Sequence, residues 1–391
     1  MELPLYIHIP FCKKKCDYCD FFSLPLCKIH ELKDYYVQAL VNQINFFVQK
    51  YNVTKWSTVY IGGGTPSLLG PQLIEFLASN VYKSTGQNST DEFTIEVNPD
   101  DLTGEIIDSC RRGGITRISM GIQALDDAAL SAVGRLATRQ KALDALSLLN
   151  ECWDGRLSVD FIAGLPGQTI DSFKSQFEYV FNSRVDHISL YSLTVEENTP
   201  LYKNIEGGKI KWNSDRADRM WALGRRILEK NGFAQYEVSN FARAGKESLH
   251  NQAYWNLKDY AGCGAGATGT FYGKELRFTN KYDVQKYIDF WSRPDSVKNE
   301  FELCEVEKLD KETQIFEYLM MGFRMLRGVS SKTFAERFGV SLEKRIGVDG
   351  GVFAQWKKNR LARKTSVQGD IYYSLNKKGI TLLNLFLEQL L

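Results

Sequence analysis

The chain has 391 residues, 43% hydrophobic and 25% charged, with 49 lysines and arginines against 47 acidic residues. That length is enough for more than one packed unit and excludes a small disulfide-stapled fold. A net charge of +2 creates no field of the strength that polyelectrolyte binding demands, so no nucleic-acid partner is expected. Met1-Glu2-Leu3-Pro4 lacks the basic leader and apolar run of a signal peptide, and the greasy stretch 382–391 is broken by Asn384, Glu388 and Gln389. A cytoplasmic location is therefore expected. Cys12, Cys16 and Cys19 crowd together, whereas Cys27, Cys110, Cys152, Cys263 and Cys304 are scattered. In a reducing compartment this pattern favours a metal or cluster site over disulfides.

Short β-branched runs alternate with longer helical stretches through the first half, the signature of repeated βα units and a parallel sheet. Strands are predicted at 5–9, 58–61, 94–97, 117–120, 158–161 and 187–193, with amphipathic helices such as 35–49 and 140–149 between them. Six such units predict an α/β fold with a partial (β/α)6 barrel. Chemistry in barrels gathers at the C-terminal strand ends, and each strand here leads to residues suited to it. The first leads to Cys12-Lys13-Lys14-Lys15-Cys16-Asp17-Tyr18-Cys19, and the second to Gly62-Gly63-Gly64-Thr65-Pro66. The third carries Glu96 with Asn98-Pro99, the fourth Gly121-Ile122-Gln123, and the fifth Asp160 ahead of Gly164-Leu165-Pro166-Gly167.

Beyond residue 200 the alternation weakens, and 233–272 reads as further strands and loops. A break near 292–299 introduces a separate unit: a helix at 312–325, a helix-turn-helix at 331–338 and 342–346, a wing hairpin at 362–373 and a last helix. The expected domains are 1–200, the barrel; 201–295, its extension; and 296–391, a smaller helical, winged-helix-like unit. Residues 301–391 carry 15 basic and 11 acidic side chains, which favours packing or partner docking over DNA binding.

Three thiolates in a C-x3-C-x2-C loop suit three irons of a [4Fe-4S] cluster, leaving the fourth iron open. Structural zinc is the competing reading, with His8 or Cys27 as a fourth ligand at unusual spacing. The triple glycine brings backbone groups close to a ligand with no Cβ in the way, and it fits neither Walker A nor the dinucleotide fingerprint. Beside Glu96, Gln123, Arg135 and Asp160 it offers what a zwitterionic amino acid joined to a nucleoside needs: an arginine for the carboxylate, carbonyls for the ammonium, acids for ribose hydroxyls. His250-Asn251-Gln252-Ala253-Tyr254-Trp255 places an imidazole beside aromatics able to pack a porphyrin, although a histidine satisfied by backbone hydrogen bonds would look the same. Cys263 is an alternative thiolate ligand. His8, in a strand, reads as a core histidine or a support behind the cluster.

The sequence resembles the radical S-adenosylmethionine superfamily, in the group similar to oxygen-independent coproporphyrinogen III oxidase. The resemblance spans Tyr6 to Cys12, Gly62 to Ser67, Glu96 to Pro99, Gly121 to Gln123, Gly164 to Gln168, Ser189 to Leu193 and Tyr236 to Ala242. It implies that Cys12, Cys16 and Cys19 bind the cluster and that the open iron chelates S-adenosylmethionine. It also puts Tyr6, Gly63, Gly64, Thr65, Glu96, Gln123, Arg135 and Asp160 on cofactor-contact positions. Phe21 stands where the decarboxylases carry a fourth cysteine, and the motif begins at residue 12, without their longer leading segment. With the His250 motif, this is more similar to the haem chaperone branch, which implies haem as cargo, His250 as its ligand, and acceptor haemoproteins, some at the membrane, as partners. An electron donor is implied if S-adenosylmethionine is cleaved. The rival expectations are coproporphyrinogen decarboxylation, and radical methyl transfer or haem degradation. Thr268 replaces a histidine that relatives commonly carry.

Overall fold

The structure, a computed structural model, describes residues 1–25, 30–294, 299 and 301–390. Six strands form where the β-branched runs lie: β1 (Glu2–Ile9), β2 (Lys55–Gly63), β3 (Glu92–Val97), β4 (Arg117–Gln123), β5 (Arg156–Ala163) and β6 (His187–Ser192). Each leads to a helix: α1 (Lys33–Tyr51), α2 (Pro71–Thr85), α3 (Gly104–Arg112), α4 (Arg139–Cys152), α5 (Ile170–Phe181) and α6 (Ser214–Lys230). Consecutive strands pair in parallel, as crossovers of this length require. Ile118, Met120, Val159, Phe161, Ile188 and Leu190 are all buried, because helices cover the sheet's outer face. The outcome is a mixed α/β fold built on a partial (β/α)6 barrel. Ile9 of β1 pairs with Gly63 of β2, so the cysteine loop and the glycine loop leave the sheet side by side.

The sheet continues beyond both outer strands. β7 (Ala234–Gln235) and β8 (Asn240–Ala242) add antiparallel strands outside β6, while β9 (Ala261–Cys263) pairs in parallel with β1. The full order is β9-β1-β2-β3-β4-β5-β6-β8-β7. Stretch 233–272 is not only strands and loops: it contains helix α7 (Leu249–Trp255), which carries His250. Ser248 caps this helix by accepting from Asn251 N, and the Glu92 carboxylate of β3 accepts from Ser248 Oγ, Leu249 N and His250 N. An antiparallel sheet follows, of β10 (Thr268–Phe271), β11 (Leu276–Asn280) and β12 (Cys304–Lys308). Part of the expected break at 292–299, and Cys27, lie outside the described residues.

The last unit begins with α8 (Lys311–Gly322), three residues shorter than its apolar pattern suggests, because Met325 turns away to bridge the backbone of Glu237. Helices α9 (Ser331–Phe338) and α10 (Leu342–Ile346) follow. Strand β13 (Val329–Ser330) joins the hairpin β14 (Ala362–Val367) and β15 (Asp370–Leu375) ahead of α11 (Leu383–Glu388). Its apolar core takes in Leu257 and Tyr272 from the preceding stretch. Among the described residues no helix is long and apolar enough to cross a membrane.

Candidate functional site

The cysteine loop is pinned at several points. Asp17 N donates to Val133 O, Leu201 N to Asp17 O, and Leu24 N to Pro10 O, which returns the chain beside Phe11–Cys12. Cys12, Cys16 and Cys19 are free thiols, each half-buried. Cys19 N donates to Cys16 O at 3.1 Å, a turn that brings these two residues together. Burial pushes the Cys19 thiol up to about 11. No three His, Cys, Asp or Glu side chains among the described residues are grouped tightly enough to hold a single metal ion. Of the intervening lysines, Lys13 pairs with Asp100 and Asp101, and Lys15 donates to Phe21 O at 2.8 Å.

Polar groups from four neighbouring strands converge beside this loop. Thr65 Oγ1 lies 3.7 Å from Cys12 Sγ and accepts from Asn98 Nδ2 at 3.0 Å. Arg135 reaches Asn98 Oδ1 at 2.7 Å, Gly121 O at 2.5 Å and Cys16 Sγ at 3.7 Å, while its buried Nε has no hydrogen-bond partner among the described residues. Gly63 has φ +112°, and a Cβ there would meet the His8 ring at 2.5 Å, so this turn requires glycine. Gln123 holds φ +66° beyond a β-bulge that offsets β4 from β5; a non-glycine residue in the left-handed region costs about 1–3 kcal/mol. Such strain is commonest where a side chain must be re-aimed, as bulges do. Glu96 accepts from Tyr60 Oη at 2.7 Å and Gly63 N at 3.2 Å, and burial pushes its carboxyl up to about 7. Asp160 accepts from Ser119 Oγ at 3.3 Å, and burial pushes it up to about 6.

A cavity of about 660 Å³ opens against the cysteine loop. Its wall includes Tyr6, His8, Lys15, Phe21, Tyr60, His250, Tyr254, Tyr260, Thr268 and Tyr282. Phe21 is 65% exposed at its mouth. His8 Nε2 lies 2.9 Å from the Phe22 carbonyl, which only accepts; Nε2 therefore carries the proton, and Nδ1 accepts from Tyr6 Oη at 2.9 Å. His250 is 1% exposed, with Nδ1 at 2.8 Å from Thr58 Oγ1 and Nε2 at 3.0 Å from Tyr254 Oη. Burial pulls its pKa down to about 3, so the ring is neutral.

The structure thus brings together Tyr6, Cys12, Cys16, Gly63, Gly64, Thr65, Glu96, Gln123, Arg135 and Asp160 at one end of the sheet, with Cys19 on the same loop. His250 lies on the wall of the adjoining cavity. Cys263 is fully buried in β9, away from any surface a ligand could reach. Thr268 sits on the cavity wall with its hydroxyl 2.9 Å from Thr279 Oγ1. Sequence reasoning missed Tyr60, which alternation places two residues from Gly62 on the same strand face, and the role of Asn98 in linking Thr65 to Arg135.

Comparison with known proteins finds two family models. The radical SAM superfamily matches residues 6–180, and the HemN C-terminal domain matches residues 309–348. A protein of Lactococcus lactis named heme chaperone HemW is 35% identical over 88% of this chain and 86% of its own. Its namesake in Bacillus subtilis is 33% identical over 86% and 87%. Radical S-adenosyl methionine domain-containing protein 1, mitochondrial, of Danio rerio is 34% identical over 84% and 74%. Among solved structures, coproporphyrinogen III oxidase (HemN) of Escherichia coli superposes with a TM-score of 0.80 at 20% identity, covering 100% of this chain and 90% of that one; this likeness is one of fold.

Proposed function

Because the chain belongs to the radical SAM superfamily, and within it to the heme chaperone HemW family, we propose that it holds haem in the cavity beside its cysteine loop and passes it to acceptor haemoproteins. The family carries a [4Fe-4S] cluster and S-adenosylmethionine, with haem as cargo. We assign the cluster to Cys12, Cys16 and Cys19. The cofactor is assigned to the cradle of Tyr6, Gly63, Gly64, Thr65, Glu96, Gln123, Arg135 and Asp160.

The residues fit these groups chemically. Three free, half-buried thiols share one loop, and the unpartnered Arg135 Nε suits a carboxylate. A Cβ at Gly63 would collide with the His8 ring, so the turn keeps its backbone groups bare. The bound cluster supplies an electron for reductive cleavage of the sulfonium, should the cofactor be cleaved. The chain's own part is positional: Arg135 and the glycine turn orient the amino acid end, and Asp160 and Gln123 receive the nucleoside. Sites for recipient haemoproteins, an electron donor and action in the cytoplasm belong to this reading.

The observation that carries it is the aromatic cavity directly against the three-cysteine loop. Phe21 at its mouth, in the fourth-cysteine position of the decarboxylases, supports cargo binding over decarboxylation. Anaerobic reconstitution with iron and sulfide, followed by haem and then S-adenosylmethionine, tests it. Stable haem uptake with intact porphyrin is expected. Consumption of coproporphyrinogen, or loss of haem with release of 5′-deoxyadenosine, would overturn it in favour of an enzyme.

A further inference from the structure

We infer that Tyr254, not His250, supplies the ligand atom to haem iron, with His250 behind it as a positioning residue. This deepens the haem reading above and rests on it. An axial ligand must offer a free lone pair towards the bound metal. His250 has none to offer: it is 1% exposed, Thr58 Oγ1 occupies Nδ1 and Tyr254 Oη occupies Nε2. Glu92 fixes the ring's position by accepting from the backbone N–H groups of Leu249 and His250 at the start of α7. Bringing the imidazole to a metal would break its two side-chain hydrogen bonds, while Glu92 holds the backbone in place.

Tyr254 stands one helical turn later, is half-buried, and lines the cavity. In either tautomer of the His250 ring, the bond to Nε2 leaves the Tyr254 oxygen at least one lone pair. Tyrosine is an established haem ligand type. On ligation an O–Fe(III) bond forms and the O–H bond breaks. The proton is released to solvent, and the ring, neutral as before, takes the tautomer in which Nε2–H donates to the phenolate oxygen and Nδ1 accepts from Thr58 Oγ1; no oxidant or reductant is needed. The phenolate formed gives the ferric iron a directly bonded negative charge, in addition to the Asp20 carboxylate of the cavity wall.

Other tyrosines in the wall are committed elsewhere or lack a base. Tyr60 donates to Glu96, and Tyr6 pairs with His8 in the proposed cofactor cradle. Tyr282 is 59% exposed at the rim. The edge-on rings of Tyr254 and Tyr260, with centroids 4.6 Å apart, brace the ligand.

The test uses reconstituted full-length protein with ferric haem, read by absorption and resonance Raman spectroscopy. Wild type is expected to show a phenolate-to-iron charge-transfer band with tyrosinate vibrations. Tyr254→Phe should abolish both and weaken binding by ~10-fold or more, with cluster absorption unchanged. His250→Gln should keep the band but shift its energy, a change that mere loosening of the fold would not produce. If wild type binds haem with a histidine-type spectrum that His250→Gln destroys and Tyr254→Phe leaves intact, the assignment is overturned while the haem reading stands. If the band disappears in Tyr6→Phe instead, the ligand belongs to the other Tyr–His pair and the assignment is likewise overturned. If wild type takes up no haem, both fall.

Discussion

Glu96 joins two parts of the site, since one carboxyl oxygen takes the Tyr60 hydroxyl and the other the Gly63 amide. Burial raises its folded-state pKa from 4.5 to about 7, so between those values the native state holds a proton that the unfolded chain has released. Stability then falls as pH rises through that window, because the unfolded state binds fewer protons there. Burial also raises Asp160 to about 6 and Glu237 to about 7, which adds slope of the same sign. Urea unfolding of the ligand-free protein should show its midpoint dropping from about pH 5 to about pH 7.5, and Glu96→Gln should flatten part of that fall. An unchanged slope in the variant would remove Glu96 from this account. None of this was legible in the sequence, where Glu96 is simply an acid at a strand end. Its environment comes from Tyr60 and Gly63, which the fold brings against it. The same holds for Gln123, whose residue type gives no hint of its left-handed backbone.

At the scale of elements, local pattern reached as far as local pattern can. The six barrel strands and the helices around them announce themselves by β-branched runs and helical spacing, so their order and direction were readable. Strand β9 was not: Ala261-Gly262-Cys263 has no β-branched residue, and it is a strand because Leu5 to Ile7 lie beside it. Helix α7 was missed for a similar reason. Seven residues are too few to hold a helix by propensity, and what fixes it is the buried Glu92 carboxylate at its first turn. Glu92 also forms a 3.0 Å ion pair with Arg117, both side chains 2% exposed. Glu92→Ala would leave the guanidinium buried and unpaired at a cost of about 3–5 kcal/mol. Chemical unfolding should register that loss, and hydrogen exchange should show faster opening of the amides from Leu249 to Trp255. A change below about 1 kcal/mol would show that the pair does not anchor the helix.

For the whole molecule, the chain's last quarter is tied closely to what precedes it. Leu257 and Tyr272 sit in its apolar core. Arg337 donates to Leu257 O at 2.9 Å, and Arg277 of β11 pairs with Glu317 of α8 at 2.6 Å. Leu326 N donates to Tyr236 O at 3.0 Å. Truncation after residue 308 strips cover from these apolar groups, so the shortened chain should aggregate or elute as a broad high-mass species in size-exclusion chromatography. A monodisperse truncated protein that still takes up the cluster would show that the first 308 residues fold alone. The sequence disclosed the helices and hairpin of this unit. It did not disclose the shared core, because contacts between distant segments leave no periodicity.

The pairing of β1 with β9 has a temporal side. Leu5 lies opposite Ala261, about 250 residues further on. At a synthesis rate of about 5–20 residues per second, the partner of the first strand emerges from the ribosome roughly 13–50 seconds after it. Until then β1 has an open edge, and the loop carrying Cys12, Cys16 and Cys19 hangs from an unfinished sheet. Metal loading before then would meet proposed ligand thiols that are not yet fixed, so the order of biosynthesis favours assembly of the metallocentre after β9 has emerged.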